Sequence, residues 1–497
     1  MQSIFTRMSP WFILLCIAGY FGLVSLLAWL STRGREASLA TFYKADGQAP
    51  WYLVAFGMIG TSLSGVTFLS VPGMVREQGM LYFQVVLGYV LGYTVIAFVL
   101  LPLYYRLNLT SIYGYLGERF GRNSYKTGAW FFLISRALGS AARLYLVAIV
   151  LQFLVFDQLG IPFALTVALT LALILLYTQR GGIRTIIWTD TLQTLFMLLA
   201  LGLTVWYVLS TLDLKAPVEA IFSHPYARVF NFDAPTEASY FWKQFLSGAF
   251  IAIVMTGLDQ DMMQKNLSVD TMRNSQKNVM TLSLALVVVN LLFLMLGVLL
   301  FMYAEVQGVA LPETKDQVFG ALAMQEFPVS IGVLFVLGLV AAAYSSADGS
   351  LTALTTSFCI DILGLPEETN AQTLRIKRRV HLAMTVAFFL IIIGFKLAER
   401  LDTGDTSVIT IVLKLAGYTY GPLLGLYAFG LFTKRLTRDR YVPILAVLSP
   451  LICLLLNTCS EPWFGYKIGF ELLIINGLIT MLGLWLLGIG LPKNTPA

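Results

Sequence analysis

Charge is scarce in this chain. Asp, Glu, Lys and Arg make up 12% of its 497 residues, against about 25% in an ordinary soluble domain. No polar stretch is long enough to build a separate water-soluble domain. Histidine is almost missing, with only His224 and His381. The four cysteines, Cys16, Cys359, Cys453 and Cys459, share neither paired nor metal-ligand spacing, which excludes a disulfide framework and a zinc site. There is no nucleotide-binding loop, and no serine or cysteine nucleophile with an evident base, so an enzyme is not expected. No repeated filter sequence of the kind that lines an ion channel is present either. A nutrient sensor is disfavoured because no signalling domain follows Leu491.

What the chain has instead is apolar length. Hydrophobic residues make up 58% of it, and the mean hydropathy is +0.77. A surface this apolar takes lipid as its solvent. Thirteen apolar runs stand out, at roughly 11–31, 51–71, 80–105, 127–155, 160–178, 185–209, 238–258, 278–303, 328–359, 380–395, 407–432, 441–457 and 468–490. The run 380–395 is the shortest. Chain inside hydrocarbon must satisfy its own backbone hydrogen bonds, so these runs are expected as helices. The first reads as a membrane span rather than a cleaved leader, because no small-residue cleavage site follows it.

Most of the 33 Lys and Arg fall in alternate connections, among them Arg33, Arg35, Arg106, Arg119, Arg180, Arg184, Arg378, Arg379 and the group Lys434, Arg435, Arg438 and Arg440. Basic connections stay in the cytoplasm. The N-terminus is therefore expected outside and the C-terminus in the cytoplasm, in a multi-pass protein of the plasma (inner) membrane. The same bias accounts for the net charge of +6 without nucleic acid. The expected partners are the lipid bilayer and a small-molecule solute, and the chain is expected to act as a monomer.

Two runs carry breaks. Residues 57–72 read GMIGTSLSGVTFLSVP, with three glycines, five hydroxyl residues and a closing proline. Such a stretch favours an unwound turn, tolerated at membrane depth only beside a protein-lined or watery cavity, where free carbonyls can hold a cation. The alternative is close helix packing through small residues. The seventh run ends similarly, at Gly257, Leu258, Asp259 and Gln260. Spans two to six and seven to eleven then form two five-helix halves, each opening on an interrupted helix. Because five is odd, the halves run in opposite senses, the inverted-repeat logic of many secondary transporters. The expected fold is all-α and integral to the membrane, with about thirteen transmembrane helices, a 5+5 inverted-repeat core and broken second and seventh helices. Its parts are an extra N-terminal helix and inner loop (1–50), the first repeat (51–209), an outer loop (210–237), the second repeat (238–432) and two C-terminal helices (433–497).

Four motifs are more specific: GGIRTIIWTDTLQ (181–193), GLDQDMMQKNLS (257–268), AAAYSSADGSLTALTTS (341–357) and YTYGPLLGLYAFGLF (418–432). Together with the span count they resemble the sodium/solute symporter family over spans two to eleven. The resemblance implies the inverted-repeat fold of the leucine-type transporters and solute uptake coupled to sodium, with Na+ as the co-transported ion and no organic cofactor. It also implies a sodium site formed by carbonyls of Gly60, Leu63 and Ala342 and hydroxyls of Ser345 and Ser346. Oxygen is the ligand a hard cation takes, and Ala342 and Ser345, three apart, share a helix face. The alternative for Ser345 and Ser346 is hydrogen bonding back to the preceding turn.

Asp190 and Asp348 fall within spans, where carboxylates are costly. Some members of the family use the aspartate matching Asp190, with two ninth-span hydroxyls, for a second sodium. Here those hydroxyl positions are Asp348 and Gly349. A second ion, proton coupling and a structural hydrogen bond stay open for this pair, and a proton-coupled carrier is the nearest rival function. The resemblance places Ser62, Ser64 and Thr67 at the solute. Phe68 offers apolar cover or plain packing. Gly139 matches the position of a carboxylate-binding arginine in a sialic-acid-carrying member and of an asparagine in a sugar-carrying one. Arg136 and Arg143 flank it, and Lys414 is a further in-span cation. Three cations against two carboxylates favour an anionic solute, such as a sugar acid or another carboxylate. The alternatives are a neutral sugar, with these cations neutralising acids or snorkelling to the interface.

Overall fold

The structure is a computed structural model, and it describes residues 9–33, 42, 47–366, 370–399 and 408–491. Among these residues there are helices and one isolated bridge, between Ala49 and Val269, but no strand. Among the described residues nine helices are long and apolar enough to cross a membrane, or ten if a bent pair is one span.

In chain order the long segments are α1 (Pro10–Thr32), α2 (Trp51–Gln78), α3 (Tyr82–Arg106), α4 (Arg122–Leu159), α5 (Phe163–Thr178) and α6 (Gly182–Leu212). The bent pair follows as α7a (Phe241–Gly257) and α7b (Gln260–Asn266). Then come α8 (Met272–Gln307), α9 (Val329–Ile362), α10 (Ala371–Glu399), α11 (Val408–Phe432), α12 (Val442–Phe464) and α13 (Leu472–Leu487). The run expected at 380–395 proves longer, because α10 covers 29 residues. Its first turns carry Arg375, Lys377, Arg378 and Arg379, which mask the helix in a hydropathy reading.

Burial sorts these helices. The apolar window of α2 is 89% buried, whereas those of α1, α6 and α10 are 28% buried and that of the span carrying α12 is 22%. So α2 is the central element, packed by α4, α6, α8 and α9, and α12 is peripheral. Leu448, Leu451, Leu454 and Leu455 of α12 are exposed, a face that only lipid makes favourable.

Both expected breaks are present. Within α2, Ser64 has φ 52° and ψ 172°, a region that glycine alone enters without strain. Between α7a and α7b the axis turns by 70°. Asp259 starts the second piece: its Oδ1 accepts from the amides of Asp261 and Met262, at 3.0 and 3.3 Å. That is the N-cap role for which a short acidic side chain is suited.

Candidate functional site

The break in α2 has chemical consequences. A helix end leaves its last carbonyls without intrahelical donors, and at this break they belong to residues 60–63. Close approach to α6 is possible because Gly57 and Gly60 have no side chain: a Cβ on Gly60 would lie 2.3 Å from Thr194 Oγ1 and one on Gly57 3.0 Å from Asp190 Cβ. Instead, the Gly60 amide donates to Thr194 Oγ1 at 3.1 Å. On the α9 side, the hydroxyl oxygens of Thr61 and Ser345 are 3.1 Å apart. Ser345 Oγ donates to Asp190 Oδ1 at 2.8 Å, and Thr61 Oγ1 donates to Asp190 Oδ2 at 3.0 Å. Ser346 Oγ donates back to the carbonyl of Ala342 at 3.2 Å, the bond to the preceding turn that is the alternative for this hydroxyl, whereas Ser345 Oγ turns to Asp190. The broken helix, α6 and α9 thus meet at one point rich in oxygen.

A buried ion cluster adjoins that point. Lys265 of α7b is 1% exposed at its side chain, and its ammonium donates to Asp190 Oδ2 and to Thr61 Oγ1, each at 2.8 Å. It also lies 3.6 Å from Asp261 Oδ1, one helical turn earlier. Arg136 of α4 donates to Asp261 Oδ2, to Asp259 Oδ2 at 3.4 Å and to Ser350 Oγ at 2.9 Å. Tyr420 of α11 donates to Asp259 Oδ2 at 2.7 Å. Breaking such a pair by removing one member costs about 3–5 kcal/mol, because a charge is left buried and unpaired.

Beside the cluster lies a cavity of about 730 Å³ of empty space, counting its open part. Ser62, Ser64 and Thr67 line it from α2, Tyr82, Tyr89 and Tyr93 from α3, Arg136 and Arg143 from α4, and Asn290 from α8. The hydroxyls of Tyr82 and Tyr89 are 2.9 Å apart. The mixture of apolar and polar groups on its wall suits a small organic molecule. Arg143 is half-buried on this wall, and no carboxylate among the described residues lies within ion-pair distance of it. A Cβ on Gly139, nearby, would meet nothing within 4 Å.

These positions sort the residues expected from the sequence. Gly60, Leu63, Ala342, Ser345 and Ser346 lie at or beside the meeting point of α2 and α9, and Ser62, Ser64, Thr67, Arg136 and Arg143 line the cavity. Asp190 is at the meeting point. Asp348, buried on α9 one residue before Gly349, accepts from Tyr177 at 2.8 Å and from the Gly349 amide at 2.6 Å. Phe68 packs among Phe293, Phe319 and Phe335. Lys414 is exposed, and the α11 residues on the cavity wall are its neighbours Val412 and Leu413. The helical step turns Lys414 away, so it is not a solute contact.

The expected surplus of one in-span cation is also overturned. Asp259, Asp261 and Lys265 are all buried, although they read as the edge of a loop. Among the described residues of the spans and the bend, the buried carboxylates are Asp190, Asp259, Asp261, Asp348 and Asp361, and the buried cations are Arg136, Lys265 and Lys377. Thr61, Thr194, Tyr177 and the three α3 tyrosines were not expected at the site. The one sequence signal for the cluster was the Asp261–Lys265 pair at i and i+4, a spacing that places opposite charges on one helix face.

An all-helical membrane chain that holds a polar-lined cavity against an interrupted helix and a buried ion cluster is a secondary transporter. Residues 42–440 match the pattern of the sodium:solute symporter family. The chain belongs to that family. It is a transporter and not an enzyme, and sodium is its co-transported ion.

Relatives include the sodium/sialic acid symporter SiaT of Proteus mirabilis, 24% identical over 90% of each chain, and the sodium/sialic acid symporter NanT of Aliivibrio fischeri, 25% identical over 94% of this chain and 92% of that one. The fold is that of a Na+-coupled sialic acid symporter solved in a substrate-bound outward-open state, with a TM-score of 0.82 and 20% identity over 98% of this chain and 99% of that one. A more distant likeness is to Mhp1, a nucleobase-cation-symport-1 family transporter, with a TM-score of 0.55 and 14% identity over 88% and 92% of the two chains.

Proposed function

We propose that this protein imports a small anionic solute, a sugar acid or another carboxylate, together with sodium by alternating access. One observation carries the choice of an anion: Arg143 faces the cavity with no carboxylate partner among the described residues, while Arg136 beside it is held by Asp259 and Asp261. A guanidinium grips a carboxylate with two parallel hydrogen bonds, and the space at Gly139 leaves room for the solute to reach it. Ser62, Ser64 and Thr67 offer hydroxyls to the rest of the molecule. The sialic acid carried by the two bacterial relatives is an acid of this class.

Sodium binds, in this reading, to the carbonyls of Gly60, Leu63 and Ala342 and the hydroxyls of Ser345 and Ser346. Asp190 supports the site through its bond to Ser345, and Asp348 anchors α9 to Tyr177 of α5. The thirteen segments are read as thirteen spans, with residues 51–209 and 238–432 as inverted five-helix repeats, each opening on an interrupted helix. The N-terminus lies outside and the C-terminus in the cytoplasm of the plasma (inner) membrane, with the chain acting as a monomer. This orientation puts the α2–α3 turn, toward which the cavity extends at Tyr82, on the outer side.

Uptake into proteoliposomes tests the reading. An inward sodium gradient should drive accumulation of at least one carboxylate from a panel of sugar acids, short monocarboxylates and neutral sugars, and a pH gradient alone should not. Accumulation of a neutral sugar that is indifferent to Arg143→Gln would refute the anionic solute.

A further inference from the structure

Nothing in the expected sodium or solute sites involves Lys265, yet its ammonium is among the most deeply enclosed charges in the protein. It is bound as a small cation would be. Its three donors face a carboxylate oxygen of Asp190 and the hydroxyl of Thr61, both at 2.8 Å, and a carboxylate oxygen of Asp261 at 3.6 Å. The other oxygen of Asp190 is taken by Ser345, so both oxygens of that carboxylate have partners. An ion seeking Asp190 would have to displace the ammonium, which is fixed to α7b.

The space is shaped for this arrangement. Gly349 lies on α9 opposite the pair, and a Cβ there would fall 2.6 Å from Asp261 Oδ1 and 3.0 Å from Lys265 Nζ. A side chain at 349 would therefore push the ends of Asp261 and Lys265 from the positions they hold. Glycine at 349 leaves the room that the ammonium occupies. Lys265 supplies one positive charge to Asp190, as a bound alkali ion would, but cannot leave with the solute.

We propose that Lys265 is a tethered cation that takes the place of a second sodium at Asp190, so that each chain binds one sodium. The proposal rests on the sodium site at Ser345 and Ser346 described above. The probe is radioactive sodium alone, bound at equilibrium to purified protein in detergent, which needs no knowledge of the solute. The wild type should bind one ion per chain. Lys265→Met should bind two, a twofold rise, because Asp190 is then open. Lys265→Met/Asp190→Asn should return to one.

Should the single variant fail to fold, Lys265→Met/Asp261→Asn removes one charge of each sign, leaves Asp190 in place and should also bind two. Two ions in the wild type, or one in a folded variant that lacks only Lys265 or lacks Lys265 and Asp261, overturns the proposal. A wild type that binds no sodium removes the underlying site and this proposal with it, whereas two ions leave the site standing and remove only the tethered cation. A purely structural ion pair would change stability and leave the count at one.

Discussion

The hydroxyl oxygens of Thr61 and Ser345 lie 3.1 Å apart although 284 positions separate them in the chain. The contact joins the turn of α2 before its break to the middle of α9, and both hydroxyls bind Asp190. Whatever moves either helix therefore disturbs one shared set of oxygens. This is how ion binding can be linked to helix position without any covalent change.

Ser345→Ala should weaken sodium binding by roughly tenfold or more, since a hydrogen bond or contact to a charged group is worth about 1.5–3 kcal/mol. The readout is thermal stability against sodium concentration. A site saturated at a hundred times its dissociation constant stabilises by about 2.7 kcal/mol, and in the variant this gain should need correspondingly more sodium. An unchanged sodium midpoint would remove Ser345 from the site.

The two arginines of α4 should separate cleanly. Arg136→Gln leaves Asp259 without a cation and Asp261 with Lys265 alone, and should cost about 3–5 kcal/mol of stability, seen as a large fall in melting temperature or loss of folded protein. Arg143→Gln should melt close to the wild type and lose about ten- to a hundredfold in affinity for a carboxylate solute. Equal destabilisation by both would mean that Arg143 has a structural partner instead.

Ser64 holds a conformation that costs a side-chain-bearing residue about 1–3 kcal/mol. Ser64→Gly should therefore raise the melting temperature of the solute-free protein, and Ser64→Val should lower it, because a β-branched side chain fits a positive φ worst. A solute that touches the hydroxyl should bind the glycine variant more weakly despite its greater stability. Destabilisation by Ser64→Gly would mean that the hydroxyl contributes more than the strain.

Gly60→Ala should be harmful because its new methyl meets Thr194 Oγ1. Overpacking of this kind costs typically about 1–3 kcal/mol. Thr194→Ala in the same chain should restore part of the loss, giving a favourable coupling energy in a double-mutant cycle of melting temperatures. Additive losses would show that the two helices do not approach as closely as this contact requires.

Much of this protein was legible in one dimension because the bilayer imposes a local rule: an apolar run must be a helix. The glycine and hydroxyl content of residues 57–72 announced the break that Ser64 realises, and the four motifs announced the family. The ion cluster was read less well. Asp259, Asp261 and Lys265 follow directly on an apolar run, and charges in that position ordinarily face water. Only the 70° turn at Leu258 and Asp259 sends them back into the interior. Lys414 failed in the opposite sense, because being inside an apolar run says nothing about which face of the helix a residue takes.

The sequence by itself determined the solvent, the helical class and the family, since each depends on composition or on motifs a few residues long. The tertiary structure alone decided which charges neutralise one another. Arg136 could have served the solute or the acids, and Asp190 could have taken a free ion or a lysine. Those choices depend on the approach of α2, α4, α6, α7b and α9 to within hydrogen-bond distance. Coulomb energy falls with separation in space, and distance along the chain carries no record of it.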